Sequence, residues 1–209
     1  MRRVSWFLLA MLVCSISYAQ KVELTLTDGR VVTGSTKTPF LFGSVNKISV
    51  KNEVSGEKRE YESVDIKSGR YYFSKEDEWC TFVSVNAQSQ PANNWNKNPK
   101  PFKKPVFMIP LYEGEKIGVY KHFVETSNRV FGTSGGSMQI NGAGYIYYYL
   151  IKGEDIAKAY AMSPAIGGKK WLRFVFKQYP GMKEIIESYD MDMFYKDPID
   201  IIKKLESLL

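Results

Sequence analysis

Alternating side chains punctuated by glycine turns constrain this chain more than any other feature. Val22, Leu24 and Leu26 alternate with Glu23 and Thr25, so one face of an extended segment is apolar and the other polar, as in a half-buried strand. Asp28-Gly29 follows and predicts a tight primed hairpin turn, because glycine tolerates the positive φ such a turn needs. Val31 and Val32 restart the pattern as far as Gly34. Further strands are expected at 47–51, 58–61 and 66–73, with turns at Ser55-Gly56 and Ser68-Gly69. So many short strands in so short a stretch predict a small, strongly bent sheet or an SH3-like barrel.

The middle of the chain differs in kind. Between Val83 and Pro105 the side chains are mostly Pro, Asn, Gln and Lys. The reading is an extended connector, since proline biases its predecessor away from helical backbone. Strand patterns resume at 106–112, 116–125 and 137–151, the last two separated by a glycine-rich loop at 132–136. The final stretch turns helical. Trp171, Leu172, Phe174, Val175 and Tyr179 follow a 3.6 period that Pro180-Gly181 stops, and Met182, Ile185, Ile186 and Tyr189 form a second apolar stripe. Asp197-Pro198 reads as a helix cap followed by proline in the first turn, with Ile199, Ile202, Leu205 and Leu209 as the stripe behind it. Helices this short need a docking surface.

The expected fold is therefore α+β: a small N-terminal β-sheet or SH3-like barrel unit, then a second antiparallel sheet packed by short C-terminal helices. The division is 1–19 leader, 20–86 β-rich unit, 87–105 connector and 106–209 sheet plus helices. Trp171, Phe174, Ile185, Ile186, Ile202 and Leu205 are expected in the core.

The leader sets the compartment. Arg2 and Arg3 precede an apolar run from Val4 to Val13 broken only by Ser5, and Ser17-Tyr18-Ala19 closes it. This is the pattern of a signal peptide cut before Gln20, too short in its apolar part to span a ~30 Å hydrocarbon core, so no transmembrane span is expected after cleavage. Lipidation at Cys14 is disfavoured because Val13 stands where Gly, Ala or Ser is wanted. Cleavage leaves Cys80 as the one thiol, so no internal disulfide is expected and the core must supply stability. The expected location is the periplasm, the outer membrane or the exterior. The formal charge of +7 falls to +5 without Arg2 and Arg3, which fits solubility or contact with an acidic envelope polymer and requires neither.

Candidate chemistry is sparse. Thr133-Ser134-Gly135-Gly136 is similar to the nucleophile turn of chymotrypsin-like serine peptidases, which would make Ser134 a hydrolase nucleophile. Such a serine needs a histidine base and a carboxylate behind it. The chain has 1 histidine, His122, close upstream rather than a whole barrel earlier, and Thr stands where that turn carries Asp. A glycine-rich hairpin loop accounts for the segment better. One histidine and one distant cysteine do not assemble a metal site. Asp190, Asp192, Asp197 and Asp200 lack the glycine and closing glutamate of a calcium loop. No catalytic residue, metal or cofactor is assigned. Tyr145, Tyr147 and Tyr149 share one face of a strand, and such a stripe is either sheet core or a platform for sugar rings.

Two resemblances bear on this. The segment 22–34 resembles the opening strand pair of Sm-like barrels, although the later Asp/Asn motif of that family is absent and nucleic acid is not expected in an exported compartment. Leu111-Tyr112 to Tyr120, Tyr147 to Lys152, and Phe174 through Tyr179 to Ile186 and Leu205 resemble exported Bacteroidetes-type proteins of unknown function. That resemblance implies a small N-terminal β-unit, C-terminal helices and an envelope location, and no activity. The expected function is a non-catalytic exported envelope protein that binds or scaffolds an envelope protein or a glycan, with a hydrolase at Ser134 or a glycan-binding aromatic stripe as alternatives.

Overall fold

The computed structural model describes residues 20–37, 46–73, 77–89, 99–126, 130–133, 136–139, 142–163 and 168–209. The expected leader, Cys14 and residues 90–98 of the connector lie outside these residues. Twelve strands precede four short helices: β1 (Gln20–Leu26), β2 (Val31–Thr36), β3 (Lys47–Lys51), β4 (Lys58–Glu62), β5 (Ile66–Phe73), β6 (Glu78–Val85), β7 (Val106–Glu113), β8 (Ile117–Thr126), β9 (Val130–Thr133), β10 (Gly136–Gln139), β11 (Gly142–Ile151), β12 (Lys158–Ser163), α1 (Lys169–Val175), α2 (Met182–Ser188), α3 (Met191–Lys196) and α4 (Ile199–Glu206).

Ten of the strands form one antiparallel open sheet in the order β12-β11-β8-β7-β6-β5-β1-β2-β3-β4, and β9 and β10 form a separate hairpin. The fold is thus α+β, but the two expected sheets are one. The join is β7. Its first residues pair with β6, Val106 opposite Val85 and Met108 opposite Val83, while Ile109 to Glu113 pair with β8. The register shifts between Pro110 and Tyr112, where proline has no N–H to give the ladder.

The far edge of the sheet returns to its middle. Beyond β6 the chain stays extended, and Ala87 forms a parallel bridge with Ala157, just before β12. Ala157 donates its N–H to Asn86 at 2.8 Å, and Gln88 donates to Ala157 at 3.1 Å. The run β6-β7-β8-β11-β12 therefore meets itself. Val85, Ala87, Met108, Ile146, Tyr148 and Ala157 are buried on its inner side.

Its outer side is sealed by the helices. Ile117, Val119, Tyr149 and Tyr160 pack against Trp171, Leu172, Phe176, Met182, Ile186, Phe194, Ile201, Ile202 and Leu205. Of the expected core residues, Trp171, Ile186, Ile202 and Leu205 are buried, whereas Phe174 and Ile185 are only partly so. Phe176, at the C-cap of α1, takes the deep position instead: it stands four residues after buried Leu172, to whose carbonyl its N–H donates at 2.9 Å, so it shares the buried face that Phe174 leaves. The N-terminal strands enclose a core of their own, with Leu24, Ile48, Ile66, Tyr71 and Phe82 at its centre.

Local chemistry explains the elements. The Asp28-Gly29 turn forms with Gly29 at φ +88°, but as a three-residue loop, Leu26 donating to the Arg30 carbonyl at 2.8 Å. The turn expected at Ser68-Gly69 does not form, since β5 runs straight through it. Gly69 serves packing: a Cβ there would lie 2.4 Å from Phe82 Cζ and 2.8 Å from the Glu23 carbonyl. The acidic positions of the C-terminal region act as caps. Asp190 Oδ1 accepts from Asp192 N at 2.9 Å at the start of α3, and Asp197 Oδ1 from Ile199 N at 3.0 Å before α4, as helix starts require.

Glu206 fixes the last helix to the sheet. Its carboxylate accepts from the Tyr112 hydroxyl at 2.6 Å and from the backbone N–H groups of Lys116 at 2.6 Å and Ile117 at 3.1 Å. The Tyr112 hydroxyl and the Lys116 amide hold this carboxyl below the usual glutamate range.

Candidate functional site

The tyrosine stripe of β11 is split by the fold. Tyr145, Tyr147 and Tyr149 share a face, opposite Phe123, Lys121 and Val119 of β8. Tyr149 is wholly buried, its ring 5.6 Å from Phe176 and 6.0 Å from Tyr160. It is core beneath the helices, and burial pushes its phenol well up, with help from Tyr179. Tyr147 and Tyr145 are half-buried, their rings 5.6 Å apart in an edge-to-face contact. Lys121 Nζ stands 5.3 Å from both Tyr145 and Phe123. The structure therefore brings two of the three residues to a partly open position and removes the third.

Ser134 lies outside the described residues. Its flanks belong to a hairpin, Thr133 pairing with Gly136. His122 is buried at 6% exposure, its Nδ1 3.0 Å from the Phe107 carbonyl; the carbonyl can only accept, so Nδ1 carries the proton. Its ring meets Tyr148 edge-on at 6.3 Å. These contacts orient a core imidazole between β7 and β11. Among the described residues, no group of three or more His, Cys, Asp or Glu could hold a metal ion, and Cys80 is a free thiol, raised by burial.

A cleft of about 220 Å³ opens where the returning segment after β6 faces α1. Gln88, Ser89 and Pro99 form one wall, Trp171, Phe174, Val175, Lys177 and Gln178 the other, and Tyr149, Lys158 and Ala159 the floor. The first wall is held by the Ala87–Ala157 bridge and by Ser89, which donates its N–H to the Lys100 carbonyl at 2.7 Å. The second wall is held by Trp171, whose Nε1 donates to the Tyr160 carbonyl at 2.8 Å. Trp171 and Phe174 rings lie 5.7 Å apart and nearly parallel at 26°.

Charge in the cleft has one sign. Lys177 Nζ sits 5.4 Å from the Phe174 ring. Lys158 Nζ sits 5.9 Å from the Tyr149 ring and pairs with Glu154 at 2.7 Å. Among the described residues, neither wall nor floor contributes a carboxylate. Gln178 Nε2 donates to the Tyr179 hydroxyl at 2.7 Å. Among the described residues, the cleft is thus lined by aromatic rings, amide and hydroxyl groups, and two cations.

Sequence reasoning did not single out Gln88, Lys158, Lys177 or Gln178. The readable signal was Phe174 with Lys177 three residues later, although Lys177 falls in the turn after α1. Phe174 was instead assigned to the core, and β12, which carries Lys158, was not anticipated. Comparison with protein-family models, curated proteins and solved structures returned no match for this chain, so the reading of the cleft rests on its residues.

Proposed function

We propose that the protein is an exported, non-catalytic binding or scaffolding protein of the cell envelope, holding its ligand in the cleft between α1 and the segment after β6. The cleft carries this reading: aromatic rings, convergent polar groups and lysines meet in a concavity whose walls are both tied to the sheet. Ligand sites are commonly built this way, as an apolar surface with a few placed polar groups. The leader pattern at 1–19 supports export. The N-terminal half reads as a small barrel-like spacer, with Ser84 Oγ donating to the Ser63 carbonyl where the turn after β4 approaches β6.

Two experiments test the proposal. Mass spectrometry of the exported chain should find Gln20 first; an intact Met1 or a lipid on Cys14 overturns export by this route. Wild-type protein should be retained on native envelope material, and Phe174→Ala should be released from it while keeping its fold. Equal retention of both forms would remove the cleft from the function.

A further inference from the structure

We draw no further inference here: the strongest candidate, the exposed surface patch of Trp79 and Val54 beside Glu23 and Thr33 on the outer face of the N-terminal strands, supports none, because Trp79 already packs against Arg70 and Tyr72 and nothing in the structure shows what covers the rest of the patch.

Discussion

β1 and β11 belong to the same antiparallel sheet, yet they meet their surroundings differently. β1 has Val22, Leu24 and Leu26 buried on one face and Glu23 and Thr25 half-exposed on the other. β11 is covered on both sides: Ile146 and Tyr148 point into the closed run of strands, while Tyr149 lies under the helices. The N-terminal half needs one apolar face per strand, and the C-terminal half needs two. A strand with two coverings depends on more of the chain, so the C-terminal half should be the more easily dismantled from a single outer position.

The largest expected effect is that of Phe176→Ala. Phe176 is buried among Tyr149, Tyr160 and the helices, and truncation should cost about 3–5 kcal/mol through lost burial and the cavity left behind. Hydrogen exchange should show β8 and β11 losing protection while β1 and β5 keep theirs. Equal loss in both pairs would make the sheet one cooperative unit and end the comparison.

Gly69→Ala attacks the other half. The added methyl would clash with Phe82 and with the Glu23 backbone, and the strain of overpacking should cost about 1–3 kcal/mol. Urea unfolding would measure it, with β1 and β5 exchanging first. Wild-type stability would show that this half yields more readily than its close packing implies.

Glu206→Gln should have the smallest effect, about 1 kcal/mol, because the amide oxygen can still accept one of the three hydrogen bonds. Its pH dependence sharpens the point. The folded-state pKa lies below the ordinary 4.5, so the carboxylate's contribution is complete above that value and disappears as pH falls through the lower folded one. Acid titration of thermal stability should therefore show a shallower decline for the variant between neutral pH and that region. A parallel decline would mean that α4 docks through its apolar stripe alone.

The contrast between the halves also explains how far the sequence could be read. One-sided burial writes an alternating pattern, and β1, β2 and β3 were legible from it, while β5 was legible apart from the turn expected at Ser68-Gly69. Two-sided burial erases alternation, so Tyr145 to Leu150 showed where a strand lay without showing which tyrosines would be covered. β12 stayed hidden because Lys158-Ala159-Tyr160-Ala161 has neither a long apolar run nor a strong turn signal. The joining of the two sheets through β7, and the bridge from Ala87 to Ala157, are non-local pairings on which no local pattern reports. The cleft inherits this: Gln88 and Lys158 become neighbours only once that bridge forms, while Phe174 and Lys177 stand three residues apart in the chain.

The bridge at Ala157 also bears on self-association. An open sheet ends in two rows of unused backbone groups, each a template on which another chain can add a strand. Here the β12 end is occupied at its start by the Asn86–Gln88 backbone and further along by the Trp171 indole. The opposite end, β4, carries Lys58, Arg59, Glu60 and Glu62, charges that an incoming strand would have to match or desolvate. A ten-stranded sheet guarded at both ends resists growing by recruiting copies of itself.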